Sequence, residues 1–427
     1  MTIKFYTLGC KVNQYDTMAL LELFKKRGYS FAKKCDIPDV MVINSCTVTA
    51  ESDRKTRQAV NRFRKNYPNA IIVVTGCMTQ AVKEKGEKLN NADIVIGNSL
   101  NEQLPDLVDE YVKTKQRIVR WKEHSENDNI SLLCTDDFEE RTRAFVKIQE
   151  GCNNFCTYCI VPYARGRVRS KPLSVVKEEL ISLAHNGYKE IVLTGINLSA
   201  YKDDENDLCG VVEMAENIDG IERIRLGSIE PDRIDKKDLI RLKNCDKFCP
   251  QFHLSLQSGS NKVLEKMGRR YDMALFNTLV DDIYETFENP SITTDIMVGF
   301  PTETDEDFED TLNAVKGCKF AKVHAFIYSM REDTPAAKMK QIDPKIKEAR
   351  MSALLEISNN ERINFFNTQK GKNVTVLFER RDKEGVWEGY TENYTPVKMK
   401  CERDLSGKTI SVEIIDANSE YCLCKPL

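Results

Sequence analysis

No apolar run in the 427 residues approaches the ~18 that a membrane-spanning helix needs. The opening stretch Met1-Thr2-Ile3-Lys4-Phe5-Tyr6-Thr7-Leu8-Gly9 also lacks the apolar core and small-residue cleavage site of a secretory leader. A soluble, cytoplasmic protein with no membrane contact is expected. An excess of either charge is missing too: 63 Lys and Arg face 66 Asp and Glu, a net charge of −3, so no global field announces a nucleic-acid partner and none excludes one. What is abundant is cysteine, fifteen in all. In a reducing compartment these thiols do not make a disulfide framework, which leaves clusters or buried thiols as the expectation.

Residues 150–171, EGCNNFCTYCIVPYARGRVRSK, set Cys152, Cys156 and Cys159 in a C-x3-C-x2-C array directly behind the apolar run 144–149. Three thiolates hold three irons of a cubane and leave the fourth without a protein ligand, whereas a simple iron–sulfur electron carrier uses four cysteines. An open coordination position is what catalytic metal sites keep. The spacing resembles that of the radical S-adenosylmethionine (SAM) superfamily; a zinc knuckle or scattered thiols is the competing reading.

Ahead of this array, residues 1–121 alternate apolar runs at 3–8, 40–44, 71–75 and 93–96 with polar or amphipathic stretches, the pattern of an open parallel α/β sheet. The first three runs each end in a cysteine: Cys10, Cys46 and Cys77. Ligands of such sheets bind beyond the carboxyl ends of the strands, so a second three-cysteine cluster is expected there, against the alternative of three small buried thiols. A cobalamin-binding domain would place a histidine in this segment, and the first histidine is His124. The basic stretch 53–65 predicts a helix capped by Ser52 or Asp53, its Arg and Lys side chains forming a solvated face or an RNA-backbone contact. Residues 122–143 are polar with little periodicity and predict a linker.

Residues 144–369 carry six strand-like runs, at 144–149, 190–194, 223–226, 252–256, 293–298 and 322–329, with helical material between them. Such alternation predicts a partial (β/α) barrel whose chemistry lies on the loops after its strands. The cysteine array follows the first strand. Thr194, Gly195 and Asn197 follow the second, Ser228 and Glu230 the third, Gln257 the fourth and Gly299 the fifth, while Asp295 lies in the fifth. The superfamily resemblance implies SAM across these loops. Arg165, Arg167 and Arg169, in an acid-free run behind the array, are candidates for the SAM carboxylate or an RNA phosphate. His253 and His324 fall on strands and are expected in the core or hydrogen-bonded. Nine further cysteines, 35, 134, 209, 245, 249, 318, 401, 422 and 424, are expected to be reduced thiols.

Residues 370–427 hold five short strand-like runs, suggesting a small OB-like barrel. Ten Lys and Arg against ten Asp and Glu give it no net field for RNA, which leaves local patches such as Arg380-Arg381.

Taken end to end, the two cysteine triads followed by a small β-barrel resemble the methylthiotransferases, across essentially the whole chain. TLGCKVNQYDT (7–17), TGCMTQ (75–80) and CIVPYARGRVRS (159–170), with a TRAM-like barrel at the end, look most like the MtaB type. That resemblance implies two [4Fe–4S] clusters and SAM as cofactors, with a flavodoxin- or ferredoxin-like electron donor. It implies tRNA as partner and insertion of a methylthio group at C2 of N6-threonylcarbamoyladenosine beside the anticodon. Relatives acting on isopentenyladenosine or on a ribosomal-protein aspartate are the alternatives, and a non-catalytic iron–sulfur RNA-binding protein is the alternative of a different class. Thr302, in GFPTET, stands where the family commonly has glycine. Met330 and Asp333 stand where proline and glycine are frequent.

Overall fold

The computed structural model describes every residue except Lys34, Cys35, Asn127, Asp136, Asp137, Glu139, Glu140 and Arg141. The expected reduced thiol Cys35 and part of the expected linker therefore lie outside the described residues.

The N-terminal strands are β1 (Thr2–Thr7), β2 (Ser30–Phe31), β3 (Val40–Ser45), β4 (Ile71–Gly76), β5 (Ile94–Ile96) and β6 (Ile118–Arg120). They form one sheet in the order β2-β1-β3-β4-β5-β6, every pair parallel. β3 and β4 are buried at every position, as apolar runs covered on both faces must be. The edge strands β2 and β6 escape sequence detection because two or three residues show no period. The chain runs out from β1 to β2 and returns to β3, so the strand order reverses between β1 and β3. Cys10 and Cys46 follow those two strands, at the switch point where open α/β sheets bind ligands. Helix α2 (Ala50–Asn66) starts earlier than its basic stretch suggests. Its N-cap is Thr49, whose Oγ1 accepts the Ser52 N–H at 3.2 Å, because a hydroxyl preceding the first turn meets an orphan amide that Ser52 or Asp53 already inside the helix cannot.

The central domain begins with β7 (Arg143–Lys147) and continues through strands Glu190–Thr194, Arg223–Leu226, Ser228–Ile229, Gln251–Gln257, Ser291–Val298 and Lys322–Ile327. They make two parallel sheets of three and four strands. The third barrel strand is broken at Gly227: Arg223–Leu226 pairs with Glu190–Thr194, while Ser228–Ile229 pairs with Gln251–Gln257. The barrel is partial, and β7 and Lys322–Ile327 are its edges. The N-terminal domain closes the gap between them. Tyr15 and Ala19 of helix α1 (Lys11–Lys26) join the same apolar core as Ala144 and Val146 of β7. On the other edge, the Ala50 N–H donates to Ser329 Oγ at 3.0 Å, and Arg331 donates to Thr47 Oγ1 at 2.7 Å and Asp53 Oδ2 at 3.0 Å.

Residues between β6 and β7 carry no helix or strand among the described ones, but they pack rather than dangle. Phe138 is 1% exposed and meets the rings of Phe145 and Tyr188 edge-on. His253 is half-buried, whereas His324 is exposed on the edge strand rather than in the core, its ring 5.5 Å from that of His253.

Helix Pro344–Asn367, capped by Asp343 accepting the Lys345 N–H at 2.8 Å, leads to a closed five-stranded barrel with its own apolar core. This barrel docks on the end of the central domain opposite the cysteine loop. Arg223 donates to Tyr390 O at 3.0 Å and Thr375 O at 2.9 Å, and Arg225 to Thr391 O at 2.8 Å. Glu190, 1% exposed, bonds Arg225 at 2.8 Å and balances these buried cations.

Candidate active site

Cys10 ends the turn after β1 and is the N-cap of α1, and its Sγ donates to Asn13 Oδ1 at 3.3 Å. Cys46 follows β3 and is buried. Cys77 is the first residue of helix α3 (Cys77–Ala81), behind Gly76, whose φ is +105°. A Cβ on Gly76 would meet Ser45 O at 2.4 Å, so glycine is what lets the ends of β3 and β4 close together and bring Cys77 beside Cys46. The thiols sense one another. Burial pushes Cys77 up to about 12; Arg165 pulls it down, and Cys46 and Cys10 push it further up.

Arg165 organises this side. Its guanidinium donates to Cys77 Sγ at 3.1 Å, Asp16 Oδ2 at 2.6 Å, Glu150 Oε1 at 3.1 Å and Asn13 Oδ1 at 3.2 Å. Lys147 bonds the other oxygens of Asp16 and Glu150, so two cations and two carboxylates neutralise one another away from water. At 3% exposure Arg165 is not presented to an RNA backbone at the surface; its place is between the N-terminal thiols and the barrel. Asn13 and Asp16 lie three and six residues after Cys10 on one face of α1, and nothing in the spacing marks Asp16 as a partner of Arg165.

Cys152, Cys156 and Cys159 lie on the loop after β7. Gly151 has φ +75°, and a Cβ there would lie 1.9 Å from Arg167 O, so the loop is cinched against its own return path. The Cys152 N–H donates to Gly166 O at 3.1 Å, and Thr157 is pinned by its N–H to Met267 O at 2.9 Å. N–H groups point at the sulfurs: Asn154 N and Asn197 Nδ2 at Cys152 (3.4 and 3.6 Å), and Arg269 Nη1 at Cys156 (3.5 Å). Burial pushes Cys159 up to about 12, against the pull of the Val161 amide.

The other candidate residues divide. Thr194 ends the neighbouring strand and Gly195 follows it, and just beyond them the Asn197 backbone N–H donates to Gln149 Oε1 at 2.7 Å. Glu230 accepts from Arg269 at 2.6 Å, which joins it to the cysteine loop. Gln257 is buried with φ +70°, and its Oε1 has no hydrogen-bond partner. Asp295 is half-buried, 3.3 Å from His253 Nε2. The Gly299 N–H is taken by Glu303 at 2.8 Å, and Ser228 is exposed. Arg169 is mostly buried and donates to Arg165 O at 2.7 Å. Arg167 is exposed over the Phe155 ring, and Arg380 and Arg381 are exposed on the C-terminal barrel.

Among the described residues no three His, Cys, Asp or Glu side chains surround a single metal ion. A cubane gives each thiolate its own iron, so its ligands need not meet at one point. No thiol of either triad is committed to a disulfide, and N–H donors reach Cys77, Cys152 and Cys156, a donor set that fits such a cluster.

Comparison with known proteins gives three family matches: the radical SAM superfamily over residues 146–315, the uncharacterized protein family UPF0004 over 2–97 and the TRAM domain over 367–425. The threonylcarbamoyladenosine tRNA methylthiotransferase MtaB of Bacillus subtilis is 37% identical, over 98% of this chain and 95% of its own length. That of Aquifex aeolicus is 38% identical over 97% and 100%. The tRNA-2-methylthio-N(6)-dimethylallyladenosine synthase of Clostridium botulinum is 36% identical over 97% and 94%. Among solved structures, the radical SAM methyltransferase TsrM of Kitasatospora setae shares the fold, with a TM-score of 0.60 and 14% identity over 79% of this chain and 77% of that one.

Proposed function

Since this chain belongs to the radical SAM methylthiotransferase family, we propose that it inserts a methylthio group at C2 of N6-threonylcarbamoyladenosine next to the anticodon of tRNA. SAM and an iron–sulfur cluster are its cofactors. Two [4Fe–4S] clusters, one on Cys152, Cys156 and Cys159 and one on Cys10, Cys46 and Cys77, are the finer reading. The observation that carries it is the Arg165 network, which ties one thiol triad to the loop that bears the other.

Bound there, the clusters and SAM would supply radical and sulfur-transfer chemistry, which side-chain acids and bases do not offer at an unactivated aromatic C–H. The protein's own groups position and insulate. N–H donors at Cys152 and Cys156 stabilise thiolate charge. Gln257 Oε1 is buried without a partner, and we assign it to SAM with Thr194, Gly195, Asn197, Ser228, Glu230, Asp295 and Gly299 around it. Arg167, Arg380 and Arg381 are assigned to RNA, which is splayed open in a single-stranded loop. Among the described residues no helix is long and apolar enough to cross a membrane. A cytoplasmic site of action and a flavodoxin- or ferredoxin-like electron donor complete the reading.

Its test is anaerobic reconstitution of two variants. Cys156→Ala is expected to lose SAM cleavage altogether. Cys46→Ala is expected to keep cleavage to 5′-deoxyadenosine and to lose the methylthiolated nucleoside in tRNA digests analysed by mass spectrometry. Methylthiolation by Cys46→Ala would sink the two-cluster reading.

A further inference from the structure

Lys11 follows Cys10 directly and opens α1. The residue is exposed to solvent, and its ammonium is turned toward the barrel strands rather than away from the protein. Its ammonium sits 5.9 Å from the centre of the Phe145 ring, and Arg143, Arg225, Glu190 and His324 are the charged or titratable barrel groups that face it. Phe145 is on β7, and His324 is on the opposite edge strand. Lys11 therefore projects from the N-terminal domain into the barrel interior, beside the Cys10 triad.

The cations around it are already committed. Arg143 pairs with Glu379 at 2.8 Å, Arg225 with Glu190 at 2.8 Å, Lys147 with Glu150 at 2.8 Å and Arg165 with Asp16 at 2.6 Å. Among the described residues, Lys11 Nζ has no hydrogen-bond or ion-pair partner. Glu190 and Cys10 favour its charge only from beyond ion-pair distance, so this ammonium meets no direct counterion within the chain.

We infer that Lys11 is a specificity residue that binds the carboxylate of the threonylcarbamoyl substituent. This rests on the proposed substrate. A carbamoyl-linked threonine presents a free carboxylate, whereas a dimethylallyl group presents only hydrocarbon. A site with an ammonium that lacks an ion pair favours the first over the second, because only the carboxylate supplies the cation with a counterion. The position also suits the chemistry. C2 and the N6 substituent lie on the same edge of adenine, flanking N1. A residue that holds the substituent must therefore sit close to the groups that serve C2, and Lys11 is joined to Cys10 by one peptide bond.

The test uses three anticodon stem-loop RNAs: one with threonylcarbamoyladenosine, one with its carboxyl capped as a neutral methylamide and one with unmodified adenosine. Binding to the reconstituted enzyme is followed by fluorescence anisotropy, with methylthiolation of the first RNA measured in parallel. The wild type is expected to bind the acid about 10-fold or more tightly than the amide, the range of a charge-assisted hydrogen bond. Lys11→Met is expected to bind the two equally, with its affinity for the amide equal to the wild type's, which shows that the site is intact. Lys11→Arg is expected to restore most of the preference.

If Lys11→Met keeps the acid–amide ratio, the assignment is overturned. It is overturned equally if the wild type methylthiolates the first RNA while binding acid and amide alike, and in both cases the proposed function stands. If the wild type neither methylthiolates the first RNA nor prefers it to unmodified RNA, the proposed function falls and takes the assignment with it.

Discussion

Arg165 Nε lies 3.1 Å from Cys77 Sγ, and the same guanidinium is within hydrogen-bond reach of Asp16 and Glu150. One side chain from the loop behind the second thiol triad thus supports a sulfur of the first. Neutralising charge around a thiolate favours its ionised form, so the barrel contributes directly to the N-terminal triad.

Replacing Arg165 with Met keeps most of the volume and removes the charge. Asp16 and Glu150 then share only Lys147, and breaking a buried network in this way costs about 3–5 kcal/mol. Iron analysis after reconstitution is expected to show loss from the N-terminal triad with the Cys152 triad still loaded and cleaving SAM. Full iron content would show that Arg165 is not needed there.

Gly76→Ala attacks the same triad from the backbone. Its Cβ would collide with Ser45 O, and its φ of +105° is strained for alanine, so β3 and β4 must part. A cost of at least about 1–2 kcal/mol is expected, together with reduced iron at Cys10, Cys46 and Cys77. Denaturant titration and iron content together check it.

Thr302 holds φ +71°, a conformation that a β-branched residue adopts only under strain. The loop keeps a glycine-like shape without the glycine, helped by Lys266 Nζ donating to Thr302 Oγ1 at 2.9 Å. Thr302→Gly is expected to stabilise the protein by up to about 1 kcal/mol, strain relief being offset by glycine's entropy. A lower denaturation midpoint would contradict this.

Burial alone would raise the Glu190 carboxyl, but Arg225, Arg143 and Arg223 outweigh it and hold the group below the ordinary range. Its stabilising contribution is therefore complete above the unfolded pKa of about 4.3 and is lost as pH falls through the lower folded value. Glu190→Gln is expected to lose about 3 kcal/mol near neutrality by leaving the arginines undercompensated. That deficit should shrink as pH drops below about 4.3. Unfolding curves of both proteins across pH give the comparison, and a pH-independent difference would refute it.

Gln257→Met removes the unpartnered buried oxygen while keeping the chain length. The unliganded protein is expected to gain about 1 kcal/mol, and SAM affinity, read by calorimetry, to fall about 10-fold. Unchanged SAM affinity would release Gln257 from the SAM site.

Both cysteine triads, the strand-end rule that joins Cys10, Cys46 and Cys77, and the closing barrel are readable from residue order, because strand periodicity and ligand spacing are local properties. What Arg165 and Lys11 pair with is not. The run Arg165-Gly166-Arg167-Val168-Arg169-Ser170-Lys171 contains no acid and reads as a uniform cationic stretch. In the fold, Arg165 is neutralised by Asp16 from α1 and Glu150, Lys171 by Glu179 at 2.8 Å, and Arg167 stays exposed. The sequence by itself determined which elements form and which thiols end them. Tertiary structure alone decided which cations are paired and which, like Lys11, have no ion pair, because the partner that neutralises a charge comes from wherever the chain returns in space, at separations that no local pattern records.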